Sequence, residues 1–533
     1  MTKKTSKVLN LEKAYDQVIR SWREGNDFLP DILHFIDTKT VKTEILGNLR
    51  NELDNNSFYA TDLVTMNVPK DNFLLRPCAS PCLKDWILYE ALVTYIGSKV
   101  DKKLGRRVFS SRFDASGELT HWSEQWKKFD RQFWYDFNKG FQYVVKTDIT
   151  AYFANIEIKK LRKCAISLLG NSDESKQIVD FLFDRLLSPW TLRGENQGFG
   201  LPQGSAASSV LGNIFLYHVD GTLMRDRDIR YLRYSDDIRI LAETEPRAKT
   251  ALKTLIIELR RLGLDLNEKK TQILDRQKAE RELIDHRRED LDKISFWVGI
   301  RIETTIRRFA LPIIDDLFDN SFNLDNPFGA RHLRFCVKCF IRLRRVYGRV
   351  EDRVLNIGFK LISRFPSMPG STKVFAQFFQ AFPRYEFKRK LLKFLKGPDN
   401  VYEWQDMHIL DALLRFNNYT APELRTIRNI AFNKSKHHLV RARAILLLGK
   451  SGNEQERYQV MIKFNEHEHQ ILKRATIIAT QELSSALRNE FYGTVKLTDP
   501  EHANLVDYLK SIRKPIYFDN YIPDSISVID ERY

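Results

Sequence analysis

Cysteine is scarce. The five cysteines, at positions 78, 82, 164, 336 and 339, cannot form a disulfide framework for 533 residues, so a reducing cytoplasm is the expected location. Cys336 and Cys339 have metal-like spacing, but no second close pair follows, which leaves a zinc site two ligands short. No apolar run approaches the length of a membrane span, and the basic start Met1–Lys7 has no apolar signal core behind it, so neither membrane insertion nor secretion is expected. Acidic residues are outnumbered, 69 against 86 Lys plus Arg, and the resulting net charge of +17 favours a polyanionic partner bound with salt-sensitive affinity. Glycine and proline thin out beyond Pro369-Gly370 and Gly397-Pro398, where helical periodicity takes over.

Against this background, two adjacent carboxylates stand out in Tyr234-Ser235-Asp236-Asp237. The alternating runs Ile229–Leu232 and Ile238–Leu241 on either side predict a β-hairpin with the acids at its tip. Val144–Asp148 reads as a second strand ending in a carboxylate. Three acids on two strand ends can hold a pair of Mg²⁺ ions about 3.5–4 Å apart, an arrangement suited to in-line phosphoryl transfer. Between them lies Gly198-Phe199-Gly200-Leu201-Pro202-Gln203-Gly204-Ser205, which opens a helix without side-chain bulk, so that a flat base pair could pack there. Taken singly, an Asp-Asp pair is usually a solvated turn, and Lys269-Lys270 a solvated helix end. Their order changes that reading.

The succession Asp148-x-x-x-Tyr152-Phe153, Leu201-Pro202-Gln203-Gly204-Ser205 and Tyr234-Ser235-Asp236-Asp237 resembles motifs A, B and C of reverse transcriptases. Leu262–Thr271 looks like motif D, Ile294–Ile300 like the palm-to-thumb turn, and Leu75-Arg76-Pro77 with Lys84–Ile87 like the fingers motif of bacterial members. The resemblance implies an α+β right-hand polymerase, with fingers and palm over 66–305 after an N-terminal helical extension, 1–65. It implies a nucleotidyltransferase using two Mg²⁺ ions, for which Mn²⁺ can substitute, held by Asp148, Ile149, Asp236 and Asp237. Lys270 would donate charge or a proton to the leaving pyrophosphate. Phe153 would sit under the sugar and exclude a 2′-hydroxyl, so the substrates would be deoxynucleoside triphosphates. Gln203, Gly204 and Tyr234 would line the nucleotide site, and Arg76 and Lys70 would grip the triphosphate. Arg112 is either a further phosphate ligand or a surface ion-pair residue.

Arg331, Arg334, Lys338, Arg342, Arg345 and Arg349 recur at three- and four-residue steps and form one stripe on a helix. In a thumb-like segment, 306–400, the stripe would grip the template–product backbone; otherwise it is a solvated basic face. Asp411–Leu414, Arg443–Leu448 and Arg474–Ala479 recur at spacings of 32 and 31 residues, which suggests a HEAT-like α-helical repeat domain over 401–533, or else an irregular bundle. A palm joined to helical repeats, with no evident maturase or nuclease motif, resembles the defence-associated, abortive-infection reverse transcriptases of the unknown-group lineage. That likeness implies antiphage defence, an RNA template or a partner non-coding RNA, a DNA product and a homo-oligomer. Some members of that lineage start from a protein hydroxyl. Tyr533, ending a polar tail, could reach the metals or be an ordinary terminus. A retron or mobile-element enzyme and a non-catalytic nucleic-acid scaffold are the alternatives.

Overall fold

The computed structural model describes residues 6–518 apart from 24–27, 34, 171, 194–196, 301, 324–325, 327 and 348–350. It has an α+β N-terminal region with two small sheets among helices, followed by an almost wholly α-helical C-terminal region. Among the described residues, no helix is long and apolar enough to cross a membrane.

The first sheet is the hairpin β1 (Val64–Pro69) and β2 (Leu75–Ser80), in which Val68 faces Arg76 and Met66 faces Cys78. The second has four antiparallel strands in the order β4 (Ile229–Tyr234), β5 (Asp237–Ala242), β3 (Tyr143–Asp148) and β6 (Gln272–Asp275). Alternation assigns its two faces. Val145, Tyr231, Ile238 and Ile240 pack into a core shared with the helices Leu83–Val100, Ile158–Leu169, Ala206–Phe215 and Glu245–Leu262. Val144, Leu232, Leu241 and Leu274 face the other way, onto Phe129, Phe133 and Phe137 of the helix Trp122–Phe137. With both faces covered for most of its length, the sheet is a rigid base for the acids at its end.

The C-terminal region and the β1–β2 hairpin share one apolar core. Met66, Val68 and Cys78 join Leu291, Val337, Phe375, Leu410, Leu447 and Ile478 in it. Residues of both 306–400 and 401–518 contribute to it. The helices Glu403–Leu413, His438–Ser451 and Gln470–Ala479 contain the repeating segments, and Ala412, Ala444 and Ala475 are fully buried. Close approach is built in at Gly449, where a Cβ would fall 2.4 Å from the Ala479 Cα. The polar residues at equivalent repeat positions hold neighbouring structure: Arg443 pairs with Asp411 at 3.3 Å and donates to the Pro30 carbonyl at 2.7 Å, while Arg474 clasps Asp31 and Asp37. The N-terminal extension is thus seated against the repeats. Tyr15 is buried in it, its hydroxyl hydrogen-bonded to Thr38 at 2.9 Å; Tyr533 lies outside the described residues.

Residues 294–300, expected as a turn, belong instead to the helix Arg288–Ile300. Leu291, Ile294 and Val298 recur at helical spacing and are buried in the C-terminal core, which holds the segment helical through the palm's end.

Burial also makes this region acid-sensitive. His408, His438 and His467 are pulled down to about 4, 3 and 4, in each case chiefly by burial. Arg443 and Lys373 oppose the Asp411 charge at His408; His437, His469 and Arg441 press on His438; Arg441, Lys463 and Lys434 outweigh Glu466 at His467. A histidine in the unfolded chain titrates near ~6.5. Between that pH and the folded values the unfolded chain binds more protons, so these groups' stabilisation is complete above ~6.5 and is lost as pH falls through 6 and 5. Asp237 and Glu90, both pushed up to about 7 chiefly by burial, act in the opposite sense, so the histidine contribution is read as a difference. Between pH 7.5 and 5 the denaturation midpoint should fall further, or rise less, in wild type than in a His408→Gln, His438→Gln, His467→Gln variant; an equal pH dependence of the two would contradict this.

Candidate active site

The β4–β5 turn is two residues long, and Ser235 adopts a left-handed conformation, φ 56°. A non-glycine residue stays there only when its surroundings hold it. The Ser235 N–H donates to Ser110 Oγ at 2.9 Å, and its carbonyl accepts from Arg233 Nη1 at 2.8 Å. Arg233 is fully buried. It forms a two-pronged pair with Asp220, Nε to Oδ1 at 2.8 Å and Nη2 to Oδ2 at 2.6 Å, and a further bond to Asn213 Oδ1 at 3.1 Å. Asn213 donates to the Ser110 carbonyl at 2.6 Å, and Tyr231 donates to Asp220 at 2.7 Å. This buried network anchors the tip that carries Asp236. Sequence reasoning missed it, although one signal was available: Arg233 shares strand parity with Ile229 and Tyr231, so a charge was placed on an apolar face and required a partner.

Asp148, at the end of β3, pairs across the sheet with Asp237, and Asp236 occupies the adjoining turn. The Ile149 N–H donates to the Asp236 carbonyl at 3.2 Å, and the Asn267 N–H to the Asp148 carbonyl at 2.8 Å, which ties the Leu264–Lys270 loop to the same strand end. Lys270 Nζ lies 2.9 Å from Asp148 Oδ2. Burial, followed by the Asp148 charge, raises Asp236; burial, with Asp236 and Asp148, pushes Asp237 up to about 7. Burial pulls on Lys270 in the opposite sense, but its Asp148 bond and the charges of Asp237 and Asp236 leave its pKa raised.

Carboxylates crowded together at a cost to their ionised forms suit divalent cations in charge and donor type. Among the described residues, however, no group of three or more His, Cys, Asp or Glu side chains is already gathered in ligating geometry, and the Lys270 ammonium neutralises Asp148.

Phe153 follows Ala151, another non-glycine residue at positive φ, 45°. Tyr152 donates to the Gly212 carbonyl at 2.6 Å, and a Cβ on Gly212 would come within 3.1 Å of the Tyr152 ring and 3.5 Å of the Phe153 ring. The glycine-rich loop is stitched to the same segment by Gly200 N–H to the Ile156 carbonyl and Leu201 N–H to the Phe153 carbonyl, both 3.0 Å. Gln203 and Gly204, half-buried, precede the Ser205 cap of the helix Ala206–Phe215. Lys70 is within electrostatic reach of Arg76, Lys270, Asp148 and Asp236, and burial followed by the neighbouring cations lowers its pKa. Arg76 rests over the Phe28 ring at 4.9 Å.

Two expected site residues are used by the fold instead. Arg112 spends all five donors internally, on the Asp101 carboxylate and the carbonyls of Asp101, Gly105 and Val108, and has none left for a phosphate. Tyr234 packs edge-on against Trp126 and donates to the Trp122 carbonyl at 3.1 Å, which turns it toward the helix under the sheet.

Only part of the expected stripe shares one helix. Arg331, Arg334, Lys338 and Arg342 lie on Gly329–Arg342, half-buried while the residues between them are buried, and the helix ends there, so Arg345 stands beyond it in the short helix Arg344–Tyr347. Arg331 and Asp237 line the same cavity, of about 420 Å³, with Trp126, Trp134, Lys146 and Arg239. Arg334 pairs with Asp71 at 3.1 Å. Arg349 lies outside the described residues. Cys336 and Cys339 are fully buried and burial drives both thiols up, so they serve as packing residues.

Residues 102–284 match the family described as reverse transcriptase (RNA-dependent DNA polymerase). No curated protein matches the chain. Among solved structures, it is similar to telomerase from Candida albicans in complex with a fragment of telomeric RNA, at 10% identity and TM-score 0.33 over 76% of this chain and 70% of that one. It is also similar to apo telomerase from Candida tropicalis, at 12% identity and TM-score 0.32 over 89% and 73%, and to a Cas6-RT-Cas1–Cas2 complex, at 13% and 0.23 over 86% and 64%.

Proposed function

We propose that this chain is a DNA polymerase of the reverse-transcriptase type, joining deoxynucleotides by phosphoryl transfer. The observation that carries this reading is the register placing Asp148 opposite Asp237 with Asp236 in the adjoining turn, inside the matched segment. Asp148, Asp236 and the Ile149 carbonyl, with Asp237 beside them, would hold Mg²⁺ or Mn²⁺, which when bound would supply Lewis acidity to the phosphoryl transfer. The chain's residues do the rest. Lys70 and Arg76 bind the triphosphate, the Gln203-Gly204 corner receives base and sugar, and Lys270, kept protonated by its acidic neighbours, faces the departing pyrophosphate.

Phe153 sets the sugar preference in this reading. Phe153→Ala removes the ring that lies against Gly212 and should admit ribonucleotides, with competition between ribo- and deoxynucleotides as the readout. Unchanged discrimination would assign the gate to another residue.

The stripe, without Arg334, grips the nucleic-acid backbone. Changing Arg331, Lys338, Arg342 and Arg345 to Gln should weaken binding and flatten the log–log salt dependence by about 0.7–0.9 for each phosphate no longer neutralised. An unchanged affinity and slope would reduce the stripe to a solvated face.

Synthesis is RNA-directed or template-independent, started from a nucleic-acid end or a protein hydroxyl and drawing on a partner non-coding RNA where one is used. The biological role is antiphage defence; the joining of an intact acidic site to helical repeats supports the defence reading. Plaque assays with wild type and the Asp236→Asn, Asp237→Asn double variant test it. Equal protection by both would separate defence from synthesis, and no protection would favour a retron or mobile-element role.

A further inference from the structure

The β1–β2 hairpin carries Lys70 at its tip, and the next residue is fastened to the helical region. Asp71 Oδ1 accepts the Ser371 N–H at 2.8 Å, and Oδ2 accepts the Ser371 hydroxyl at 2.8 Å and Arg334 Nη1 at 3.1 Å. The contact is close on the backbone side too: a Cβ on Gly370 would stand 2.8 Å from the Asp71 nitrogen. Lys70 closes the turn through its own backbone, donating to the Leu74 carbonyl at 2.8 Å and accepting from Phe73 N–H at 2.9 Å. At the base of the hairpin, His437 Nε2 lies 2.7 Å from the Thr65 carbonyl, and Met66, Val68 and Cys78 enter the C-terminal core.

A two-stranded hairpin is marginal by itself, so its tip is placed by what it is fastened to. Each of these anchors lies in the C-terminal region, and the tip anchor joins residues 300 apart in sequence. A carboxylate suits the position because it accepts from Ser371 twice and also balances the Arg334 charge.

We infer that Asp71 is a positioning residue for nucleotide binding, fastening the fingers hairpin to the Pro369–Ser371 turn and Arg334 so that Lys70 is held facing the carboxylates. The helical region is then part of the nucleotide site as its support. This inference rests on the polymerase reading above, in which Lys70 binds the triphosphate.

The test is the nucleotide KM and kcat of Asp71→Ala, Asp71→Asn, Lys70→Ala and the Asp71→Ala, Lys70→Ala double variant, with thermal midpoints measured alongside. Lys70→Ala and Asp71→Ala should each raise KM by about tenfold or more, with kcat changed far less. The double variant should be no worse than Lys70→Ala, and Asp71→Asn, which keeps one acceptor oxygen for the Ser371 N–H but loses the charge facing Arg334, should recover part of the loss. Multiplying effects in the double variant would overturn the inference. So would an Asp71→Ala variant with a lowered midpoint and an unchanged KM. If Lys70→Ala leaves KM unchanged while Asp236→Asn abolishes incorporation, the inference falls and the polymerase reading stands; if wild type incorporates nothing, both fall.

Discussion

Asp236→Asn should lower nucleotide incorporation by at least ~10³-fold while leaving the protein folded. The change keeps the shape of the side chain and removes the charge from a residue already crowded by Asp148 and Asp237. Losing one negative charge relieves local repulsion in the folded protein, so a fall in stability is not expected. A loss of function without a loss of stability is the signature of a site that holds its charges for chemistry. Asp148→Asn should behave alike, since Asp148 is the sheet partner of Asp237 and the anchor of Lys270. Incorporation near the wild-type rate by either folded variant would remove these acids from the reaction.

The second large effect is expected beneath the turn. Asp220→Ala leaves Arg233 buried without its carboxylate, and breaking such a pair costs about 3–5 kcal/mol. Removal of a surface partner would cost under ~1 kcal/mol. Arg233 also holds the Ser235 carbonyl, so the damage should extend to the turn that places Asp236. Asp220→Asn, which keeps an acceptor, should be milder. Chemical denaturation of wild type and both variants gives the ordering, and an Asp220→Ala protein as stable as wild type would show that the pair is dispensable.

The sequence made the acidic site legible because its chemistry is local. A strand ending at Asp148 and a hairpin presenting Asp236 and Asp237 follow from alternation over a few residues, and the register then brings them together. The spacing of 32 and 31 residues likewise exposed the buried helices of the C-terminal region, because each helix repeats the same packing problem. What remained hidden depends on distant partners. For Arg112 the ion-pair reading was open from the sequence, but that Asp101 and three carbonyls take all its donors depends on how the segment 101–112 folds back on itself; nothing near Arg334 points to Asp71, 263 residues away. The expected turn at 294–300 failed for a related reason: its apolar spacing is helical, and the C-terminal core uses that face.

DNA synthesis at Asp148, Asp236 and Asp237 can be tested by incubating the purified chain with labelled deoxynucleoside triphosphates and Mg²⁺ or Mn²⁺, with and without added RNA and primer, and digesting the product. Label is expected in a polymer destroyed by DNase and spared by RNase, formed by wild type and absent from Asp236→Asn. A folded wild-type protein that makes no such polymer with any of these additions, or a variant that makes as much, would contradict polymerisation at these acids.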